Sequence, residues 1–266
     1  MNPATARAAR LRVIKISGHE LADPGYRRAF GAALAALDEP LLVVNGGGKA
    51  IADLQAHFDL PTRKVDGLRV TDAQSMTLVE MAMSGLVNKQ LVRALLGAGL
   101  DAVGLSGVDG ALLRCRQKAH PRTDLGFVGE ITAVRAPLLR LLLDQGSVPI
   151  VSPVSLGEDG AAYNVNADEG ALAIAAALGA RQLDFVSNVP GVLRRRDDSM
   201  VIPHLALTEA EALIADGTIT DGMIPKVRAA VDAVARGVHQ ARIVNLAGLS
   251  TGGTRFSADG SEEDTA

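Results

Sequence analysis

Cysteine, tryptophan and lysine are the residues this 266-residue chain hardly uses. One cysteine, Cys115, excludes an internal disulfide framework and a cysteine-built structural zinc site. Five scattered histidines (19, 57, 120, 204 and 239) argue against a histidine-rich metal site. Net charge is only −3, which argues against a nucleic-acid or membrane-surface protein, since either would carry a basic excess. No run approaches the roughly eighteen uninterrupted apolar residues of a membrane span. The N-terminus lacks the apolar stretch of a secretory signal, and the residues before Leu11 are too few for a transit peptide. A cytoplasmic location is expected. Of 27 basic residues only six are lysines, so a lysine in a glycine-rich setting stands out.

What the chain does have is 28 glycines and 48% hydrophobic residues, enough for one large α/β domain or two modest lobes. Short β-branched runs predict strands at Arg12–Ile16, Leu41–Asn45, Ala102–Leu105, Val148–Val151, Leu183–Ser187 and Ala241–Leu246. Between them, three-and-four periodicity predicts helices at Tyr26–Ala36, Gly48–Phe58, Ala73–Leu96, Pro137–Gln145, Ala167–Leu178, Thr208–Ala215 and Ile224–Val238. This alternation implies a mainly parallel sheet with helices on both faces, a three-layer α/β/α sandwich. Three antiparallel excursions are expected: Thr62–Val70 around an Asp-Gly turn, Leu112–Val134, and the stretch around Glu158-Asp159-Gly160. Because strand–helix alternation restarts there, a boundary near residue 180 would divide a 1–180 lobe from a 181–256 lobe. Residues 257–266 read as a polar, acidic, disordered tail.

The first strand runs into Lys15-Ile16-Ser17-Gly18, and the second into Asn45-Gly46-Gly47-Gly48 and then a helix. In a parallel sheet ligands lie beyond the carboxyl ends of strands. Successive glycines there let backbone N–H groups approach an anion at a helix start; a tight ligand-free turn reads equally well. Lys15, ending an apolar strand, needs an anionic partner or solvent. Lys226 sits just inside a helix start, a poor place for a cation unless an anion is close. Asn166 and Asp168 open an Ala-rich helix, where a cap and a first-turn acid would be ordinary. Walker A, protein-kinase, His-Glu-x-x-His and Gly-x-Ser-x-Gly patterns are all absent.

Taken together, eight segments resemble the amino acid kinase family, most closely its members that act on N-acetyl-L-glutamate. They are Lys15–Gly18, Gly46–Gly48, Asp66–Thr71, Gly85–Lys89, Asp124–Glu130, Asn164–Asp168, Ser187–Val192 and Thr220–Met223, spread from Arg12 to about Phe256. The resemblance implies transfer of the ATP γ-phosphoryl group to the substrate's side-chain carboxylate, an early step of arginine biosynthesis. It implies an acceptor-binding and dimerisation lobe followed by a nucleotide lobe. Lys15 and Lys226 would stabilise the phosphoryl group from two sides, with Asp168 positioning both and Gly18 and Gly47 donating N–H bonds. Arg69 would hold the substrate's α-carboxylate, and Asn164 with Gly48 its acetamido end. Asn188, Val189, Pro190, Gly191, Val192 and Leu193, with Ile219, Thr220, Asp221, Gly222 and Met223, would cradle the nucleotide. Mg²⁺ would ride on the ATP phosphates without a dedicated protein site.

Two positions depart from the family's usual pattern: Ser17 where glycine is common, and Asn45 where histidine is common. Neither removes a charged group, but both bear on the acceptor. Another acceptor compatible with the resemblance is aminoadipate or glutamate on a small acidic carrier protein, received by Arg63, Lys64, Arg69, Arg114, Arg116 and Lys118. A non-catalytic amino-acid sensor on the same fold would not need Lys15, Asp168 and Lys226, all of which are present. Arginine-inhibited relatives carry an N-terminal helix that interlaces dimers. The eleven residues before the first strand are too few for it, so an arginine-insensitive homodimer is expected, with Ala73–Leu96 as its surface or as a core helix.

Overall fold

The computed structural model describes residues 10–194, 200–220 and 222–258. Its spine is an eight-stranded sheet of β1 (Arg12–Ile16), β2 (Leu41–Asn45), β5 (Ala102–Ser106), β8 (Val148–Ser152), β11 (Gln182–Val186), β12 (His204–Ala206), β13 (Gln240–Val244) and β14 (Thr254–Ser257). The order across it is β12-β14-β13-β11-β1-β2-β8-β5. All neighbours run parallel except β13 and β14. Strand β1 is therefore the switch point: the chain first builds outward through β2, β8 and β5, then from residue 182 builds the other side from β11. Crevices at such points, beyond the carboxyl ends, hold ligands in open α/β sheets.

The strands are apolar on both faces because helices cover both. On one side Phe30 and Leu34 of α1 (Pro24–Ala35) and Leu91 and Leu95 of α4 (Asn88–Gly97) pack on Ile14, Ile16, Val43 and Ile150. On the other, α5 (Ala136–Asp144), α6 (Ala167–Leu178) and α8 (Met223–Ala235) cover Val13, Val44 and Phe185. Helices α2 (Gly48–His57) and α7 (Leu207–Ala215) complete the layers. The sandwich expected from the alternation is present. Four strands differ slightly from expectation: β5 and β8 run one residue further, to Ser106 and Ser152, while β11 and β13 begin one residue earlier and stop at Val186 and Val244. Ser257, assigned by composition to the tail, instead closes β14 against Leu205 and Ala206 of β12. Residues 259–266 of that tail lie outside the described residues.

The antiparallel excursions also form. β3 (Lys64–Val65) and β4 (Leu68–Arg69) make a two-residue hairpin, with Asp66 (φ 49°) and Gly67 (φ 80°) both left-handed, as that turn requires. β6 (Leu113–Gln117) pairs antiparallel with β7 (Gly129–Val134), and β9 (Val154–Gly157) with β10 (Ala162–Asn164). A parallel β6–β9 contact, which the sequence did not reveal, merges these into one four-stranded sheet.

The long helix is not uniform. It comprises α3 (Ala73–Val79), a π-helical stretch over Glu80–Val87, and α4. In the π stretch the Asn88 N–H donates to the Met83 carbonyl, five residues back. The widened turn brings Met83 and Asn88 both inward, while Met81 and Leu86 stay about half exposed. The helix is thus part core and part apolar surface.

One buried ionic cluster went unread in the sequence. Asp184 of β11 accepts from Arg12 Nε at 2.6 Å and from Arg242 Nε and Nη2 at 2.9 and 3.0 Å. Gln182 Nε2 adds a fourth donor at 2.8 Å. Both guanidinium groups also donate to the Leu249 carbonyl, and Arg242 to that of Gly252, fixing the β13–β14 connection. Burial alone would lower the Arg12 pKa, but Asp184 and Glu39 more than reverse it and hold it above the usual value.

Candidate active site

Lys15 is the fourth residue of β1 and points to the α6 side of the sheet, opposite Ile14 and Ile16. Asp168 lies in the first turn of α6, which Asn166 caps by accepting the Asp168 N–H at 2.7 Å. The two meet as an ion pair, Lys15 Nζ to Asp168 Oδ1 at 2.8 Å, with the lysine side chain 14% exposed. A partly buried lysine near the end of an apolar strand is thereby neutralised yet still open on one side.

The glycine segments converge beside it. Gly46 N–H donates to the Ile16 carbonyl at 2.9 Å, extending the β1–β2 ladder past the strands. A Cβ on Gly18 would sit 2.7 Å from Gly47 Cα, so both loops approach as only glycine permits. Gly47 is the N-cap of α2, and Gly48 has open space where a side chain would project. The first-turn N–H groups of α2 have no partner within the helix and suit an anion.

Lys15, Gly18, Gly46, Gly47, Gly48, Arg69, Asn164 and Asp168 line one cavity of about 250 Å³. The β3–β4 hairpin walls it with Lys64, Gly67 and Leu68, and Ser17, Val128 and Asn166 also face it. Arg69 donates to Gln55 Oε1, to Thr62 Oγ1 at 3.4 Å and to the Gly48 carbonyl at 3.3 Å. All these acceptors are neutral, and burial lowers the Arg69 pKa. A half-buried guanidinium held by neutral oxygens at a cavity wall is poised for a carboxylate. Asn164 donates to Thr71 Oγ1 at 3.1 Å, tying β10 to the segment after the hairpin.

The hairpin tip is clasped by a neighbouring loop. Asp66 accepts from Arg122 at 2.5 Å and lies 3.0 Å from His120 Nε2, both in the β6–β7 connection. The Arg122 and His120 bonds hold the Asp66 pKa below its ordinary value.

Other expected residues lie apart from this cavity. Lys226, in the first turn of α8, directs Nζ to the Gly222 carbonyl at 3.4 Å rather than to Asp168. Its neighbour Pro225 lines a second cavity of about 380 Å³ that also reaches Asn166 and Asp168. Asn188–Leu193 follow β11, with Val192 N–H donating to Thr254 Oγ1 at 2.8 Å and Gly191 packed on Val201 and Thr254. Ile219 is buried, Thr220 accepts from the Met223 N–H at 3.1 Å, and Asp221 lies outside the described residues. Among the described residues no group of three or more acidic, histidine or cysteine side chains could hold a metal.

Two supporting residues, Gln55 and Met83, went unnoticed as site residues in the sequence, and a third, Asn88, stood there only as part of the Gly85–Lys89 segment. Gln55 repeats Ile51 of α2 one turn later and is 1% exposed, a polar side chain at a core position, which was the available signal. Met83 packs on Gly47, where a Cβ would come 2.3 Å from Met83 Cγ. Asn88 is fully buried on the face of α4 that it shares with Leu91 and Leu95, and its π-register bond to Met83 brings Met83 beside it.

A parallel sheet whose switch-point cleft gathers a lysine, glycine N–H groups and a carboxylate-seeking arginine defines an anion-handling α/β protein of the doubly covered class. Residues 10–245 match the amino acid kinase family, and the chain belongs to it. The acetylglutamate kinase of Chloroflexus aurantiacus is 50% identical over 248 residues, covering 93% of this chain and 96% of that protein. The acetylglutamate kinase of a Roseiflexus species is 51% identical, covering 91% of each. Among solved structures, Giardia lamblia carbamate kinase bound to AMP-PNP superposes with a TM-score of 0.71 at 13% identity, over 93% of this chain and 98% of that one, a likeness of fold.

Proposed function

We propose that the chain transfers the γ-phosphoryl group of ATP to the side-chain carboxylate of N-acetyl-L-glutamate, in arginine biosynthesis. A carboxylate oxygen attacks the γ-phosphorus, the bond to the bridging oxygen of ADP breaks, and an acyl phosphate and ADP leave. The acceptor is already an anion and needs no general base. The obstacle is bringing it against a polyanion, so catalysis is charge neutralisation and alignment. The observation that carries this reading is Arg69, a guanidinium with only neutral partners, in one cavity with Lys15 and the glycine loop.

In this reading Arg69 holds the α-carboxylate, and Asn164 and Gly48 the acetamido end. Lys15 and Lys226 flank the phosphoryl group, Asp168 positions the lysines, and Gly18 and Gly47 donate N–H bonds. Asn188–Leu193 and the 219–223 segment take the nucleotide, so that residues 1–180 form the acceptor lobe and 181–256 the nucleotide lobe. The donor set at the cavity is basic and its one acid is committed to Lys15, which suits phosphates better than a bare cation. Mg²⁺ then rides on ATP, where it neutralises phosphate oxygens. A homodimer through the half-exposed Met81, Leu86 and Leu96 fits the apolar surface of the long helix.

A carrier-bound acceptor draws less support, because two of the six rim cations are already paired, Arg116 with Glu130 and Lys118 with Glu169. The test is ADP release with ATP, Mg²⁺ and N-acetylglutamate, against free glutamate and aspartate. Turnover confined to the acetylated acceptor is expected; saturable binding without turnover of any acceptor would sink the proposal.

A further inference from the structure

The glycine loop has no side chains of its own, so its shape must be imposed by neighbours. Asn45, the last residue of β2, is fully buried and directs Nδ2 to the Met83 carbonyl at 3.2 Å and the Gly46 carbonyl at 3.5 Å. Its Oδ1 accepts from Asn88 Nδ2 at 3.0 Å. Asn88 Nδ2 also reaches the carbonyls of Ile150 (2.9 Å) and Leu105 (3.2 Å), so one amide spans β2, β8 and β5. Asn88 Oδ1 accepts from Lys89 Nζ at 3.0 Å, which donates onward to the Gly104 carbonyl. A Cβ on Gly104 would lie 2.2 Å from Asn88 Oδ1, so the strand leaves room for the amide.

An apolar pair would fill this core equally well, but would hold no carbonyl. Fully satisfied buried amides fix one arrangement where apolar packing allows several. The arrangement fixed here is the loop's. The Met83 carbonyl receives both the Asn45 amide and the π-register N–H of Asn88, while the Met83 side chain presses on Gly47. Strand end, π stretch and glycine loop form one connected unit, and single π turns recur at functional sites for such reasons.

We propose that the buried Asn45–Asn88 amide pair, seated by the π-helical stretch, is a positioning device that sets the N–H donors of Gly47 and Gly48 for the reaction. This rests on the phosphoryl-transfer reading above. The pair acts on the loop's geometry rather than on nucleotide affinity.

The test combines Asn45→Ala, Asn88→Ala and the double variant, each checked for folding by circular dichroism. With ATP, Mg²⁺ and N-acetylglutamate, each single change lowers kcat at least tenfold while the KM for ATP stays within twofold. The double variant falls no more than about twofold below the worse single, as two members of one device would. Amide hydrogen exchange of the unliganded protein rises in peptides over 45–49 and stays unchanged over β11 and β13. Asn45→His, which restores an N–H toward Met83, recovers part of the lost kcat. Singles within threefold of the parent, a multiplicative double, or unchanged loop exchange would each overturn the proposal. Should Asn88→Ala not fold, Asn45→Ser carries the same measurements. Absence of turnover in the parent would refute the activity reading alone, and the exchange arm would still decide the positioning role.

Discussion

Replacing Asp184 by Asn tests whether the cluster beneath the sheet is a structural keystone. The carboxylate is fully buried and serves Arg12 and Arg242, themselves 4% and 2% exposed. Asn keeps the shape but removes the charge and turns one acceptor into a donor facing guanidinium N–H groups. Breaking a buried pair by neutralising one partner costs about 3–5 kcal/mol, because the other charge stays buried. Two guanidiniums lose their carboxylate here; Arg12 keeps Glu39 at 2.7 Å, so Arg242 bears most of the loss. At roughly 2–4 °C per kcal/mol for a chain of this size, the melting temperature falls on the order of 6–20 °C. Arg12 lies three residues before Lys15, about 10 Å along the strand, so kcat of the folded variant stays near the parent's. Thermal melts by circular dichroism with turnover at 20–25 °C measure both. A melting point within about 2 °C of the parent would refute the reasoning.

Arg69→Ala raises the KM for the acceptor about 10- to 150-fold, the loss of a charge-assisted bond of roughly 1.5–3 kcal/mol, with the KM for ATP little changed; initial rates at varied acceptor decide it. Lys226→Met lowers kcat far more than nucleotide affinity, read by turnover beside calorimetric ATP titration. Gly18→Ala destabilises and slows the protein because its Cβ would meet Gly47 backbone at 2.7 Å, whereas Gly48→Ala, with nothing within 4 Å, leaves the melting point unchanged. Asp66 clasps the hairpin most firmly while ionised, and its pKa is held below the ordinary 3.8, so the protection of the hairpin amides, each exchange rate referred to its intrinsic rate at the same pH, is constant above that value and falls only as pH drops further below it. Burial pushes the Cys115 thiol up to about 12, so it resists alkylation in the native protein and reacts on unfolding.

Much of this fold is legible because its strands are short, apolar and separated by amphipathic helices. Arg12–Ile16 and Leu41–Asn45 were read to the residue, and the Asp66-Gly67 turn announced its hairpin through the left-handed conformations it needs. Lys15, Gly18, Gly46–Gly48, Arg69, Asn164 and Asp168 were singled out and meet in one cavity. What stayed hidden depends on long-range registry. Asp184 and Arg242 face each other only because β11 and β13 are neighbours, 58 residues apart. The π stretch was hidden because local composition still favours ordinary helix, and β12 and β14 are too short to show a period. Lys226 was expected beside Asp168, yet its side chain turns to its own helix.

The switch point at β1 has a consequence for how such a protein can be recombined. Five residues, Arg12–Ile16, pair with β2 on one edge and β11 on the other. The half built after residue 181 is thus grafted onto a strand encoded at the opposite end of the chain. A splice at residue 180 between two relatives would not exchange a self-contained module. It would make a foreign β11 and β13 dock on the host's Arg12 and bury the host's guanidinium against an imported carboxylate. Chimaeras of this fold should therefore travel with their first strand, and the two halves should be inherited as a matched pair.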